Sequence, residues 1–115
     1  MLESNRAIII GHISAEPRDV SNSIAATQLT VRTSERLTRA GGKKTEMLDW
    51  HRVVLLGKMS DLMCSQVSEG DKVLVKGTMH NAPRMKGRPN QYATNIIVTA
   101  YKGDTLKLLE KNIAS

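Results

Sequence analysis

Between Ala25 and Ser34 the chain alternates. Thr27, Leu29, Val31 and Thr33 fall on one side of a two-residue period, and Ala26, Gln28, Thr30 and Arg32 on the other. That period, with its β-branched residues, predicts a strand with one buried face. Further strand-like segments lie at roughly 6–14, 46–57, 71–80 and 92–101. Pro17 and Ser21–Asn22 mark a turn after the first of these. Residues 59–69 show a helical period instead. Leu62, Met63, Gln66 and Val67 share a face, Ser60 stands where a cap is needed, and Gly70 follows as a stop. Two stretches have no apolar period, ERLTRAGGKKT at 35–45 and NAPRMKGRPNQ at 81–91, and both read as basic loops. The tail DTLKLLEKNIAS fits either a short helix or an extra strand.

The predicted order is β-β-β-α-β-β, with the helix between strands three and four. That is the element order of the OB-fold, a five-stranded partly open barrel. The expected class is therefore all-β with one short helix. A chain of 115 residues suits one domain. The expected division is a barrel over 1–104 and a short C-terminal extension over 105–115. No repeat of 20–50 residues is visible.

Composition changes this picture in three ways. With no Phe, two Tyr and one Trp, the interior must be filled by Ile, Val, Leu and Met. Cys64 is the only cysteine, so an intrachain disulfide is excluded and a reducing compartment fits. The net charge of +6 suggests a polyanionic partner, nucleic acid rather than an anionic membrane. The charge is unevenly spread. From Lys72 to Gly103 there are six basic residues and no acid; from Arg32 to Lys58 there are seven against Glu35, Glu46 and Asp49. The start MLESNRAIII lacks the apolar run of a signal peptide, and no segment approaches the ~20 apolar residues of a membrane span. A soluble protein of the cytoplasm, associated with the nucleoid, is the expectation.

The stretch DWHRVVLLGK, 49–58, carries the candidate chemistry. The lone tryptophan of an aromatic-poor chain belongs in a core, yet Trp50 sits among charged residues. Strand alternation puts Trp50, Arg52, Val54 and Leu56 on one face, and His51, Val53 and Leu55 on the other. An indole beside a guanidinium suits a nucleic acid strand, the ring stacking on a base and the arginine meeting a phosphate. The competing reading packs Trp50 into a core or an interface. In an OB-fold the loops after strands two and four flank the binding face. Here the first carries Arg36, Arg39, Lys43 and Lys44, and the second Arg84, Lys86 and Arg88. Tyr92 is a further candidate.

Catalysis finds no support. His12, His51 and His80 form no HxxxH or HExxH pattern, and Cys64 has no CxxC partner. Asp61, Glu69, Asp71 and Asp104 lack two-metal spacing, and no phosphate-cradling GxxxxGK[ST] occurs. Neither cofactor nor metal is expected.

Several stretches together resemble the bacterial-type single-stranded DNA-binding proteins: NRAIIIGHISAEP (5–17), ATQLTVRTSER (26–36), TEMLDWHRVVLLGK (45–58), EGDKVLVKGTM (69–79) and QYATNIIV (91–98). The pair TSER and WHRVVLLGK is the most specific part. The resemblance implies an OB-fold subunit that assembles with itself, most often as a tetramer, with single-stranded DNA wrapped around it; a dimer is the smaller alternative. It implies a stacking role for Trp50. It places Arg6, Arg32, Arg52, Lys58 and Lys76 along the DNA path, and His51 near a subunit interface.

The chain also departs from the family pattern. Aromatics common in the family are replaced by Leu37 after the TSER segment, by Leu56 in the VVLLGK segment, and by Arg84 or Met85 in the loop after strand four. Weaker stacking and a larger share of phosphate contact follow, so affinity should fall steeply with salt. The family typically continues into a flexible tail whose acidic tip recruits other proteins; the 105–115 extension has no acidic tip, so either that tail has been cut away or recruitment through it is absent. Two functions fit. One is sequence-tolerant binding and protection of single-stranded DNA in replication, recombination or repair. The other is a primosomal-type OB-fold interaction protein that binds such DNA weakly.

Overall fold

The computed structural model describes residues 3–83, 92–101 and 103–113. Seven strands and one helix follow in order: β1 (Ala7–Ile13), β2 (Arg18–Asp19), β3 (Ala26–Thr38), β4 (Lys44–Leu56), α1 (Lys58–Met63), β5 (Lys72–Pro83), β6 (Tyr92–Val98) and β7 (Thr105–Glu110). Neighbouring strands run β1-β3-β4-β6-β5, and β5 pairs again with β1, which closes a five-stranded barrel. The expected OB-fold architecture, with the helix between the third and fourth barrel strands, is the one found. Two strands are additional. The short β2 lies on β3 at Thr27 and Gln28. β7 takes the edge of β5 that β6 leaves free: β6 covers Thr78–Pro83, and β7 covers Lys72–Lys76.

Alternation builds the core. Ile13, Leu29, Val31, Val53, Leu55, Val73, Val75 and Val98 are almost wholly enclosed. Each such aliphatic side chain contributes roughly 1.5–3 kcal/mol relative to exposure. β-Branched residues pack well on pleated strands, which is how a barrel without phenylalanine fills itself. The undecided tail resolves as a strand because Leu106 completes this core. Gly11 is required where β3 crosses β1. A Cβ there would run into the Arg32 carbonyl oxygen, a backbone atom that cannot swing aside.

The helix is shorter than its period suggests. Gly57 enters it at φ +59°, and no side chain caps it. The Ser60 hydroxyl, expected as a cap, lies buried 2.6 Å from the Thr27 hydroxyl and ties the helix to the barrel end. Met59 and Val67 plug that end, with Met63 packed beside them, while Leu62 stays exposed.

The 35–45 stretch is not a loop. β3 and β4 continue past the barrel as an antiparallel ladder as far as Thr38 opposite Lys44. Arg36 and Lys44 are therefore strand residues. Only 39–43 turns, where the Arg39 amide donates to the Lys43 carbonyl (2.6 Å) and Gly41 and Gly42 take positive φ. A ladder open to water on both faces needs no apolar period. Backbone pairing between the two arms holds it instead, and the Ser34 hydroxyl donates to the Glu46 carboxylate across the strands at 2.7 Å.

Asp71 fastens the chain after β7. It is fully enclosed, and its carboxylate accepts from the amides of Asn112 (2.8 Å) and Ser68 (2.9 Å) and from the Lys111 ammonium (3.0 Å). Burial pushes this carboxyl up. The Asn112, Lys111 and Ser68 donors outweigh burial and hold it below its ordinary value. Among the described residues no helix is long and apolar enough to cross a membrane.

Candidate nucleic-acid interface

The ladder of β3 and β4 sorts charge. Register sets Arg32 opposite Trp50, Thr30 opposite Arg52, Ser34 opposite Leu48, Arg36 opposite Glu46 and Thr38 opposite Lys44. Period two then puts Arg32, Arg36, Lys44, Leu48, Trp50 and Arg52 on one face. Four cations there meet a single acid, Glu46. The other two acids of the region, Glu35 and Asp49, lie on the reverse face with Leu37, Met47 and His51.

Trp50 is 59% exposed, so it is not a core residue. Directly opposed side chains on such a ladder have Cβ atoms about 4.5–5.5 Å apart. Arg32 is thus within reach of the indole, and Arg52 stands two residues along the same face. An open ring with guanidinium groups on two sides can take a base on its surface and the adjoining phosphates on the cations. His51 is half-buried on the reverse face, its Nε2 2.9 Å from the Thr33 hydroxyl.

The remaining sequence candidates fall elsewhere. Arg39 and Lys43 flank the turn at the tip of the ladder. Leu56 is half-buried on the Trp50 face opposite Ala26, and Lys58 is exposed at the start of α1. Lys76 is on β5 between Ile8 of β1 and Thr105 of β7, on another side of the barrel. Arg6 is held by Asp104, Nη1 to Oδ1 3.0 Å, so part of its charge is answered within the chain. Tyr92 opens β6 opposite Pro83. Arg84, Lys86 and Arg88 lie outside the described residues. Two members of this surface escaped the sequence reading. Leu48, 40% exposed, could have been found by extending period two back from Trp50. His12, opposite Arg32, could not, because only the β1–β3 register brings it there.

Among the described residues no group of three or more His, Cys, Asp or Glu could hold a metal. The single-strand binding protein family model matches residues 4–104. The chain belongs to that family. Within it, the Single-stranded DNA-binding protein 1 of Chlorobaculum tepidum is 28% identical over 99 residues, which are 83% of this chain and 61% of that protein. The chain therefore spans about three-fifths of that relative's length. In fold, the chain is similar to the Plasmodium falciparum SSB in its complex with ssDNA. The TM-score is 0.84 at 24% identity, covering 96% of this chain and 98% of that one. It is also similar to the wild-type single-stranded DNA binding protein from Thermus aquaticus, with TM-score 0.76 at 20% identity, covering 95% of this chain and 52% of the other.

Proposed function

We propose that this chain binds single-stranded DNA without reading its sequence, serving its protection in replication, recombination or repair. The observation that carries this reading is the open indole of Trp50 on a face bearing Arg32, Arg36, Lys44 and Arg52. The phosphates would be met by those cations and the bases by the ring. Membership of the single-strand binding protein family supports the choice of ligand. Titration with oligo-dT should quench the Trp50 fluorescence strongly. The observed affinity should fall with salt at a log–log slope of about −0.7 per phosphate neutralised. Saturable quenching with such a slope is the expected result; an indole signal indifferent to oligo-dT at low salt would sink the reading.

A weaker-binding interaction protein of the primosomal type is the second reading, and one placement favours it. Leu37 lies on the reverse face of the ladder from Trp50, and Leu56 is only half-exposed, so Trp50 is the sole Phe, Tyr or Trp ring on the described Trp50 face of β3 and β4. Weak binding with little quenching would support it, whereas a site of tens of nucleotides supports the coating role.

The protein is further proposed to act as a homo-oligomer, a tetramer or a dimer. Residues 7–11 of β1 pair with β5 on one side, and on the other no strand pairing is made among the described residues. Ile8 and Ile10 point outward there, 62% and 53% exposed. An open edge with apolar side chains is a template for a second strand, and a two-fold axis would set β1 against β1. Changing Ile8 and Ile10 together to Lys should lower the light-scattering mass towards that of one chain. His51→Ala should likewise reduce mass more than it reduces oligo-dT quenching. A wild-type mass equal to one chain at every concentration would refute assembly.

A further inference from the structure

One outward row crosses four strands. Pairing sets Trp50 opposite Arg32, Arg32 opposite His12 and His12 opposite Lys72. At about 4.8 Å between strands, the row carries the surface some 14 Å beyond the indole. His12 is exposed and lines two clefts, one on each side of it. One, of about 290 Å³, is shared with Arg32, Glu69 and Gly70. The other, of about 240 Å³, is shared with Gly70, Lys72, Glu110 and Lys111.

The charges around His12 nearly cancel. β3 contributes Arg32, and β5 contributes Lys72. The turn before β5 contributes Glu69, and the end of β7 contributes Glu110. Lys111 is committed to the buried Asp71. The segment after β1 adds Glu16, whose carboxylate accepts from the Glu69 amide at 3.0 Å. Two cations thus face three carboxylates, and with a neutral imidazole the cleft offers a phosphate no net attraction. A proton on the imidazole brings the balance to zero and gives the cleft a cationic donor for a phosphate. Imidazole is the side chain whose charge changes between about pH 5 and 8.

We propose that the His12 cleft is a phosphate subsite on the path of the single strand beyond Trp50, engaged when His12 is protonated. It rests on the DNA-binding reading above and adds to it a pH-dependent contact on the β1–β5 wall. With a neutral imidazole the cleft lets the strand pass; with a protonated one it holds one of its phosphates.

The test is oligo-dT binding to the whole chain, followed by Trp50 fluorescence in salt series at about pH 6 and pH 8. Thymine carries no charge in that range, so the ligand does not titrate. The wild type should bind more tightly at the lower pH by roughly two- to fivefold, the range of one exposed ion pair. Its salt slope should steepen there by about 0.7, one phosphate more. His12→Gln should remove both differences and match the wild type at the higher pH. His12→Lys should bind tightly at both. His80→Gln, which removes the other exposed imidazole, should keep the wild-type response. Persistence of the full pH response in His12→Gln overturns the subsite, as does a His12→Lys chain no tighter than wild type at the higher pH. Oligo-dT binding that is absent altogether overturns the DNA-binding reading itself, and the subsite with it.

Discussion

Trp50→Ala should raise the Kd for oligo-dT by a factor of about five to 150, equivalent to roughly 1–3 kcal/mol for one stacked base. The variant has no tryptophan left, so the measurement is fluorescence polarisation of a labelled oligonucleotide. Two further readouts separate a binding role from a structural one. The indole is 59% exposed, so the melting temperature should move by no more than a few degrees. The salt slope should be unchanged, because Arg32, Arg36, Lys44 and Arg52 remain to meet phosphates. Trp50→Phe should recover much of the affinity, since a phenyl ring also presents a face. If Trp50→Ala instead lowers the melting temperature by ten degrees or more, the ring is structural in an assembly and the proposed grip is wrong.

The second large effect concerns stability. Asp71→Ala removes one acceptor shared by the Asn112 amide, the Ser68 amide and the Lys111 ammonium. Hydrogen bonds to charged groups are worth about 1.5–3 kcal/mol each, but Lys111 is half exposed and regains water. A net loss of roughly 2–4 kcal/mol is expected, seen as a lower denaturant midpoint at neutral pH. The pH dependence has a definite sign. Asp71 has a folded-state value below its ordinary 3.8, so its stabilising contribution is complete above that value. The contribution is lost as pH falls through the folded value. Wild type and Asp71→Ala should therefore differ most near neutrality and converge in strong acid. A constant gap between them at every pH would show that the carboxylate's charge plays no part.

The barrel was legible in the chain because one buried face imposes a period of two on each of its strands. The same logic located Trp50 on an open face with Arg52. Where no face is buried, that signal disappears. Hence 35–45 reads as a loop although β3 and β4 continue through much of it. The helix misread has the opposite cause. Met59, Met63 and Val67 keep a helical spacing, yet the regular turn ends at Met63, because the segment is shaped by the barrel end it plugs. Contacts between distant positions left no local trace. Arg6 meets Asp104 across 98 residues, and His12 joins Arg32 only through strand register. The position of each is a property of the closed barrel.

The parity of the β3–β4 ladder has a consequence for how this region can tolerate length changes. One residue gained or lost inside either strand would turn the outer part of that strand over. Depending on where it fell, Trp50 would then share a side with Glu35 or with Asp49, and attraction for a polyanion would be weakened by a carboxylate. The 39–43 bend can absorb an odd insertion without that inversion. Viable length variants of this hairpin should therefore cluster at its tip, and those within its arms should come in twos.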